Sequence, residues 1–313
     1  MANISNDSFA MSDSKRRWQL LSTAIRTKKY RSLNDTKDNK INDKFGADFA
    51  IESFGFIVYS RSCSEKEWIK CEWNNEIAAK EKLSLEIKLV PNHFQILDLS
   101  GFDNSGNVRI WHSEEVLGYL VANSFLREKL KNKVICELGA GMSGLASLII
   151  ANLNLHHKLY ITDGNQRCVE NIKEIVRYNH RNMDSGETFV RKLRWDTMDD
   201  YQDLSQQIDI IIAADCLFDS SSHCHLVNVI DCLLKYCVEA QAFILAPMRN
   251  QKLNEFISKC SANVNLSIQL NESYDSTVYK TYEKLRQIDS NRYRFESCYP
   301  CLLIINRKVV DFN

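Results

Sequence analysis

The chain of 313 residues has no charge excess: 40 Lys and Arg stand against 40 Asp and Glu. No global field therefore pulls it toward nucleic acid or a membrane surface, and only local charge can select a partner. It has no apolar run long enough to span a bilayer, so no membrane association is expected. Met1 to Ser14 is polar and lacks the apolar centre of a secretory leader. No second CxxC accompanies Cys298-Tyr-Pro-Cys301, and the spacing of Cys216, His223, Cys224 and His225 fits no zinc template. No metal is expected. The eleven cysteines are odd in number, and Cys136, Cys232 and Cys237 sit inside apolar runs. That suits reduced, buried thiols in a cytoplasmic or nuclear protein. A monomer is expected, and no internal repeat is visible.

What is there begins with an arm. Residues 1–14 are Asn, Ser and Asp-rich, and Lys15 to Arg31 carries seven basic residues and no acid. Trp18, Leu21 and Ile25 recur at helical spacing, which predicts a basic amphipathic helix. It either recruits an acidic partner or packs on the rest of the chain. A polar linker follows to residue 50. Residues 51–112 are β-rich: Leu85, Ile87 and Leu89 alternate, as do Phe94 and Ile96, then Val108 and Ile110. One or two antiparallel hairpins are expected here. Ser113 is placed to cap a helix, with Glu114 and Glu115 in its first turn and Lys129 and Lys131 near its end. From there to residue 313, short apolar runs alternate with amphipathic helices. The runs are Val134–Leu138, Lys158–Thr162, Phe189–Leu193, Ile208–Ala214, Ala242–Ala246, Leu266–Leu270 and Cys301–Asn306. Helices start at Ser143, Gln166, Ser222 and Gln251, and a helical segment is expected from Ser276 to Asp289. Continuous Ile, Ala and Leu strands are buried on both faces, so the sheet is α/β and mainly parallel, with helices on each side.

Two motifs describe a crevice. Glu137-Leu-Gly139-Ala140-Gly141-Met-Ser-Gly144 joins a strand to a helix, and Asp163 ends the next strand, about 20 residues on. Gly139 permits a sharp turn, Gly141 lets a ligand approach the backbone, and Gly144 permits close helix packing. Asp163 can accept bonds from ribose hydroxyls. NAD and S-adenosylmethionine (SAM) share these features. Three details favour SAM. Glu137 can face a ligand amino group, no second dinucleotide half follows, and Trp195-Asp196 and Ala214-Asp215 stand at strand carboxyl ends. Trp195 can flank an adenine and Asp196 can accept from its amine. An oxidoreductase proton relay such as Tyr-x-x-x-Lys is not obvious. A SAM-binding protein without turnover stays open.

Glu137-Leu-Gly-Ala-Gly, Thr162-Asp-Gly-Asn165, Leu193-Arg-Trp-Asp196 and Asp215-Cys-Leu-Phe218 resemble the seven-β-strand protein lysine methyltransferases. Their signature after the fourth strand is Asp/Glu-x-x-Phe/Tyr. Arg17-Trp-Gln-Leu-Leu21, Gly101-Phe-Asp-Asn-Ser-Gly-Asn-Val108, Ile110-Trp-His-Ser-Glu-Glu-Val-Leu117 and Tyr299-Pro-Cys-Leu-Leu-Ile304 sharpen the likeness to the calmodulin-lysine N-methyltransferases. The resemblance implies a Rossmann-like sheet of seven strands, SAM as donor, and calmodulin as a protein substrate trimethylated on one lysine. It places Trp111, Glu137, Gly139, Ala140, Gly141, Asp163, Trp195 and Ala214 at the SAM site. Asp215 and Phe218 fall to the lysine side, as catalytic residues. The alternatives are another protein lysine or a small molecule as methyl acceptor. Nucleic-acid methylation is disfavoured, because Asp215-Cys-Leu-Phe218 lacks the paired prolines of amino-methylating DNA enzymes.

Overall fold

A computed structural model describes residues 51–62, 68–74, 82–89, 109–179 and 187–308. The basic Lys15–Arg31 segment and the Phe94–Val108 hairpin lie outside them. Two sheets are present among the described residues. The first is three-stranded and antiparallel: β1 (Ile57–Arg61), β2 (Trp68–Trp73) and β3 (Leu85–Lys88).

The second has seven strands. They are β4 (Lys133–Leu138), β5 (His156–Asp163), β6 (Glu187–Lys192), β7 (Ile210–Ala214), β8 (Gln241–Ala246), β9 (Leu266–Asn271) and β10 (Cys301–Arg307). Their order is β6-β5-β4-β7-β8-β10-β9. β4 to β8 run parallel, and β10 is antiparallel to both β8 and β9. Ile210 to Ala213 are buried along the whole run, as a central strand covered on both faces requires. β6, at the edge, alternates exposed and half-buried residues.

Helices cover both faces: α1 (His112–Asn123), α2 (Phe125–Leu130), α3 (Leu145–Asn152), α4 (Gln166–Asn179), α5 (His223–Leu233), α6 (Lys252–Ser261), α7 (Ser276–Ile288) and the short α8 (Phe295–Cys298). α3 is sheathed on all sides, every residue from Leu145 to Ala151 being buried. It packs under α1 at Gly118, where an added Cβ would lie 2.6 Å from Ile149 Cδ1. α4 carries the small sheet: Trp68 stacks on Tyr178 at 3.8 Å, and Asn179 bonds both the N–H and the carbonyl of Glu86.

Most helix starts fall within two residues of the sequence expectation. Ser113 is nevertheless not a cap. The helix opens at His112 with Trp111 in the cap position, and Ser113 is its buried second residue, its Oγ unpartnered among the described residues. With the cap two residues earlier, Glu114 and Glu115 are buried, and neither meets solvent as a dipole partner should. The helix also stops before Lys129 and Lys131: it ends at Ser124, whose Oγ caps α2 by accepting the Leu126 N–H at 3.2 Å.

Glu115 is instead a clamp. Its carboxylate accepts the N–H groups of Phe54, Phe56 and Ile57 at 3.1, 2.6 and 3.0 Å, and the hydroxyls of Ser53 and Tyr59. One buried acid thus ties the lead-in to β1 onto α1.

Candidate active site

Strand order reverses at β4, which has β5 on one side and β7 on the other. In an open α/β sheet the connections diverge there and leave a crevice at the carboxyl ends of the strands. The turn after β4 is the glycine run. Gly139, Gly141 and Gly144 take φ of +69°, +63° and +58°, the left-handed region that side chains resist. At Gly139 space matters as well: a Cβ would stand 2.7 Å from Cys216 Sγ and 3.3 Å from Trp195 Cζ2. The turns after β4, β6 and β7 therefore converge on this one backbone position.

Three carboxylates hold the turn. Asp163, at the end of β5, accepts the Gly141 N–H at 2.9 Å on one oxygen and the Asn165 N–H at 2.8 Å on the other. A carboxylate oxygen can accept more than one hydrogen bond, so these contacts are compatible with a ligand hydroxyl. Glu137 is buried beneath the turn and accepts the Ser147 N–H at 3.2 Å. Burial pushes its carboxyl up to about 7, with the neighbouring charge of Asp163 adding to the rise. Glu114, from α1, accepts the Leu145 N–H at 3.1 Å and the Ser143 hydroxyl. Burial takes it up to about 8.

This arrangement separates the two cofactor classes. A pyrophosphate is usually seated on the free N–H groups of the helix that follows the glycine turn. Here the Leu145 and Ser147 N–H groups at the start of α3 already serve Glu114 and Glu137. A diphosphate placed there would find these donors already taken. A nucleoside bearing an ammonium meets carboxyl oxygens that can accept from it, so the donor set fits SAM.

The remaining expected residues lie around the same edge. Trp195 is half-buried and packs on the core behind Gly139. Asp196 is exposed and engaged by Arg194 at 3.0 and 2.9 Å, whose hydrogen bonds hold its carboxyl down to about 2. Ala140 is buried, and its N–H donates to Thr162 O at 2.9 Å. Ala214 closes β7, and Asp215 follows with φ +56°, buried. Burial raises the Asp215 carboxyl, against the pull of Arg249. Phe218 is half-buried, and its carbonyl accepts Lys252 Nζ. Trp111, ahead of α1, has the guanidinium carbons of both Arg109 and Arg249 5.1 Å from its ring centroid.

Two residues of this constellation escape the sequence reading. Arg249 bonds Asp215 Oδ2 through Nη2 at 2.8 Å. It follows β8 in Ala246-Pro-Met-Arg249, so the rule that ligands gather at strand carboxyl ends could have found it. Glu114 had no such signal, because Ser143 and Leu145 stand 29 and 31 positions away.

The cysteine and histidine motifs have structural partners. Cys298 Sγ bonds Arg292 O at 3.1 Å, while Cys301 is buried in β10 with its thiol pushed up to about 12. Such thiols are poor nucleophiles. His223 is buried with Nε2 on Leu217 O at 3.1 Å. Among the described residues no group of His, Cys, Asp and Glu could hold a metal, and no helix is long and apolar enough to cross a membrane.

Comparison with known proteins identifies the family. A family model described as lysine methyltransferase matches residues 94–263. Calmodulin-lysine N-methyltransferase of Arabidopsis thaliana is 30% identical over 311 residues, covering 97% of this chain and 100% of that one. Protein-lysine N-methyltransferase EFM3 of Chaetomium thermophilum is 27% identical over 56% of this chain and 54% of its own. A solved structure of magnesium protoporphyrin IX methyltransferase from Synechocystis PCC 6803, with bound SAM, is 14% identical, with a TM-score of 0.40 over 63% of this chain and 80% of that one. The chain belongs to the lysine methyltransferase family, with S-adenosylmethionine as its methyl donor.

Proposed function

We propose that this enzyme transfers methyl groups from SAM to the ε-amine of a lysine in calmodulin, up to trimethyllysine, by in-line displacement. The observation that carries the substrate assignment is the end-to-end likeness to the Arabidopsis relative, which spans 97% of this chain. When bound, SAM supplies an electrophilic methyl group. Gly139, Ala140 and Gly141 would leave backbone room for it, Asp163 would take its ribose, and Trp111, Trp195 and Ala214 would wall the pocket. Glu137 lies nearest the carboxyl end of β4 and would face an ammonium.

The acceptor must lose its proton first. A free lysine has a pKa of about 10.4, so neutralising it at pH 7 costs roughly 4–5 kcal/mol. A half-buried aromatic such as Phe218 disfavours the ammonium by desolvation, and its ring attracts methylated intermediates. A carboxylate acts the other way on that pKa. Asp215 is therefore assigned to anchoring and orienting the incoming nitrogen, and alignment supplies much of the rate.

Incubating the full chain with labelled SAM and purified calmodulin is expected to put label on a calmodulin lysine. A labelled protein other than calmodulin in a mixed sample, with calmodulin unlabelled, contradicts the assignment. The Glu137 role has its own signature. With a carboxyl near 7, only the ionised form attracts a cationic ligand, so SAM affinity is expected to rise as pH rises. Between pH 6 and pH 8 the gain is about tenfold, levelling above that. Calorimetry of Glu137→Gln should show weaker binding and a flat profile; an unchanged slope removes Glu137 from this role.

A further inference from the structure

We propose that Arg249 is a positioning residue: its guanidinium holds one oxygen of Asp215 and leaves the other for the ammonium of the substrate lysine. The proposal rests on the reading of Asp215 as the lysine-side carboxylate. The Arg249 contact, Nη2 to Oδ2 at 2.8 Å, is the one side-chain hydrogen bond of Asp215 among the described residues. It is single-pronged, so Oδ1 stays available.

Both partners are pinned from elsewhere. Asp215 sits at φ +56° with its N–H on Leu245 O at 2.8 Å, in the turn after β7. Arg249 sits at φ +37° with its N–H on Glu296 O at 2.7 Å, in the turn after β8. Left-handed non-glycine residues persist where their surroundings over-determine them, and functional sites gather such residues. The guanidinium also lies on the Trp111 ring, joining the lysine side to the proposed SAM side.

The charge does more than hold geometry. The groups that bear on Asp215 are Arg249, which favours the carboxylate, and burial and Glu52, which oppose it. Cys216 is next in the chain, with its thiol pushed well up by burial. Glu52 is itself bonded to Arg109 at 3.2 Å. His112 and Cys298 complete the cluster, each feeling Glu52, Arg249 and Arg292. Without Arg249, burial and Glu52 act unopposed, and Asp215 takes up a proton at higher pH.

The test compares wild type, R249Q and R249K as full chains with SAM and calmodulin from about pH 6 to about pH 9. The wild-type to R249Q ratio of kcat/KM should be largest at low pH, about tenfold or more, and shrink as pH rises. R249K should restore most of the loss at low pH. A ratio that does not change with pH overturns the proposal. A second readout needs no substrate. Removing one member of a buried ion pair destabilises more than removing both. R249Q should lower Tm, and D215N/R249Q should recover most of that loss even if R249Q alone folds poorly. Additive losses overturn the proposal. Full activity in D215N alone would instead defeat the underlying reading of Asp215, a result distinct from a flat ratio alongside an inactive D215N.

Discussion

Asp215→Asn abolishes methyl transfer while SAM still binds: this is the largest effect expected of any substitution at the lysine side. The substituted amide keeps the size of the carboxylate but loses its charge, so the incoming ammonium has no counter-ion at the end of β7. A misplacement of about 1 Å in the reacting nitrogen costs about 100-fold in rate. Losing the anchor altogether should exceed that, with kcat/KM falling about 10²–10³-fold. Asp215 is not among the residues proposed to hold SAM, so the calorimetric affinity should stay within a few-fold of wild type. Two outcomes contradict the assignment. Full activity would mean that the carboxylate does not orient the lysine. Loss of SAM binding in step with loss of rate would mean that Asp215 belongs to the cofactor side.

The second large effect is on stability. Glu115→Ala removes the acceptor for three backbone N–H groups and two hydroxyls at once. Phe54 and Phe56 are fully buried, so water cannot replace the lost partner. Each buried donor left unpaired costs about 1–3 kcal/mol. Relaxation recovers part of this, and a net loss of about 3–5 kcal/mol is expected, among the largest for a single substitution. For a chain of this size that corresponds to a Tm drop of about 5–8 degrees. Glu115→Gln offers one oxygen and points an amide NH2 at the remaining donors, so it should fall between alanine and wild type. A Tm within a degree or two of wild type for the alanine variant would contradict the clamp.

What the sequence reveals and what it hides divide along a physical line. The central strands β7 and β8 are legible because a strand covered on both faces must be apolar throughout, and Ile210–Ala214 or Ala242–Ala246 can hardly be read otherwise. Amphipathic helices such as α5 and α6 are legible for the same reason, since their buried stripes repeat every third or fourth residue. The glycine turn and Asp163 are legible because their chemistry is local. Glu114 and Glu115 are not. In sequence they look like acids in a first helical turn, and that reading needs only the neighbouring residues. Their actual partners lie 29 to 62 positions away and become visible only when α1 is laid against α3 and β1. Ser113 fails similarly. A serine before two acids suits a cap, but the cap position falls two residues earlier, at Trp111. Arg249 is hidden by its residue type: nothing in the sequence ties a cation after β8 to the carboxylate after β7, 34 positions away.

The central claim is that a crevice whose helix-start N–H groups are taken by Glu114 and Glu137 passes a methyl group from SAM to a lysine of calmodulin. Intact-mass measurement of purified calmodulin, after reaction with the full chain and SAM, tests it most directly. The account predicts a mass gain of one to three methyl groups that maps to a single lysine, and none with Asp215→Asn. Calmodulin of unchanged mass, while the same enzyme binds SAM and methylates another protein, would contradict it.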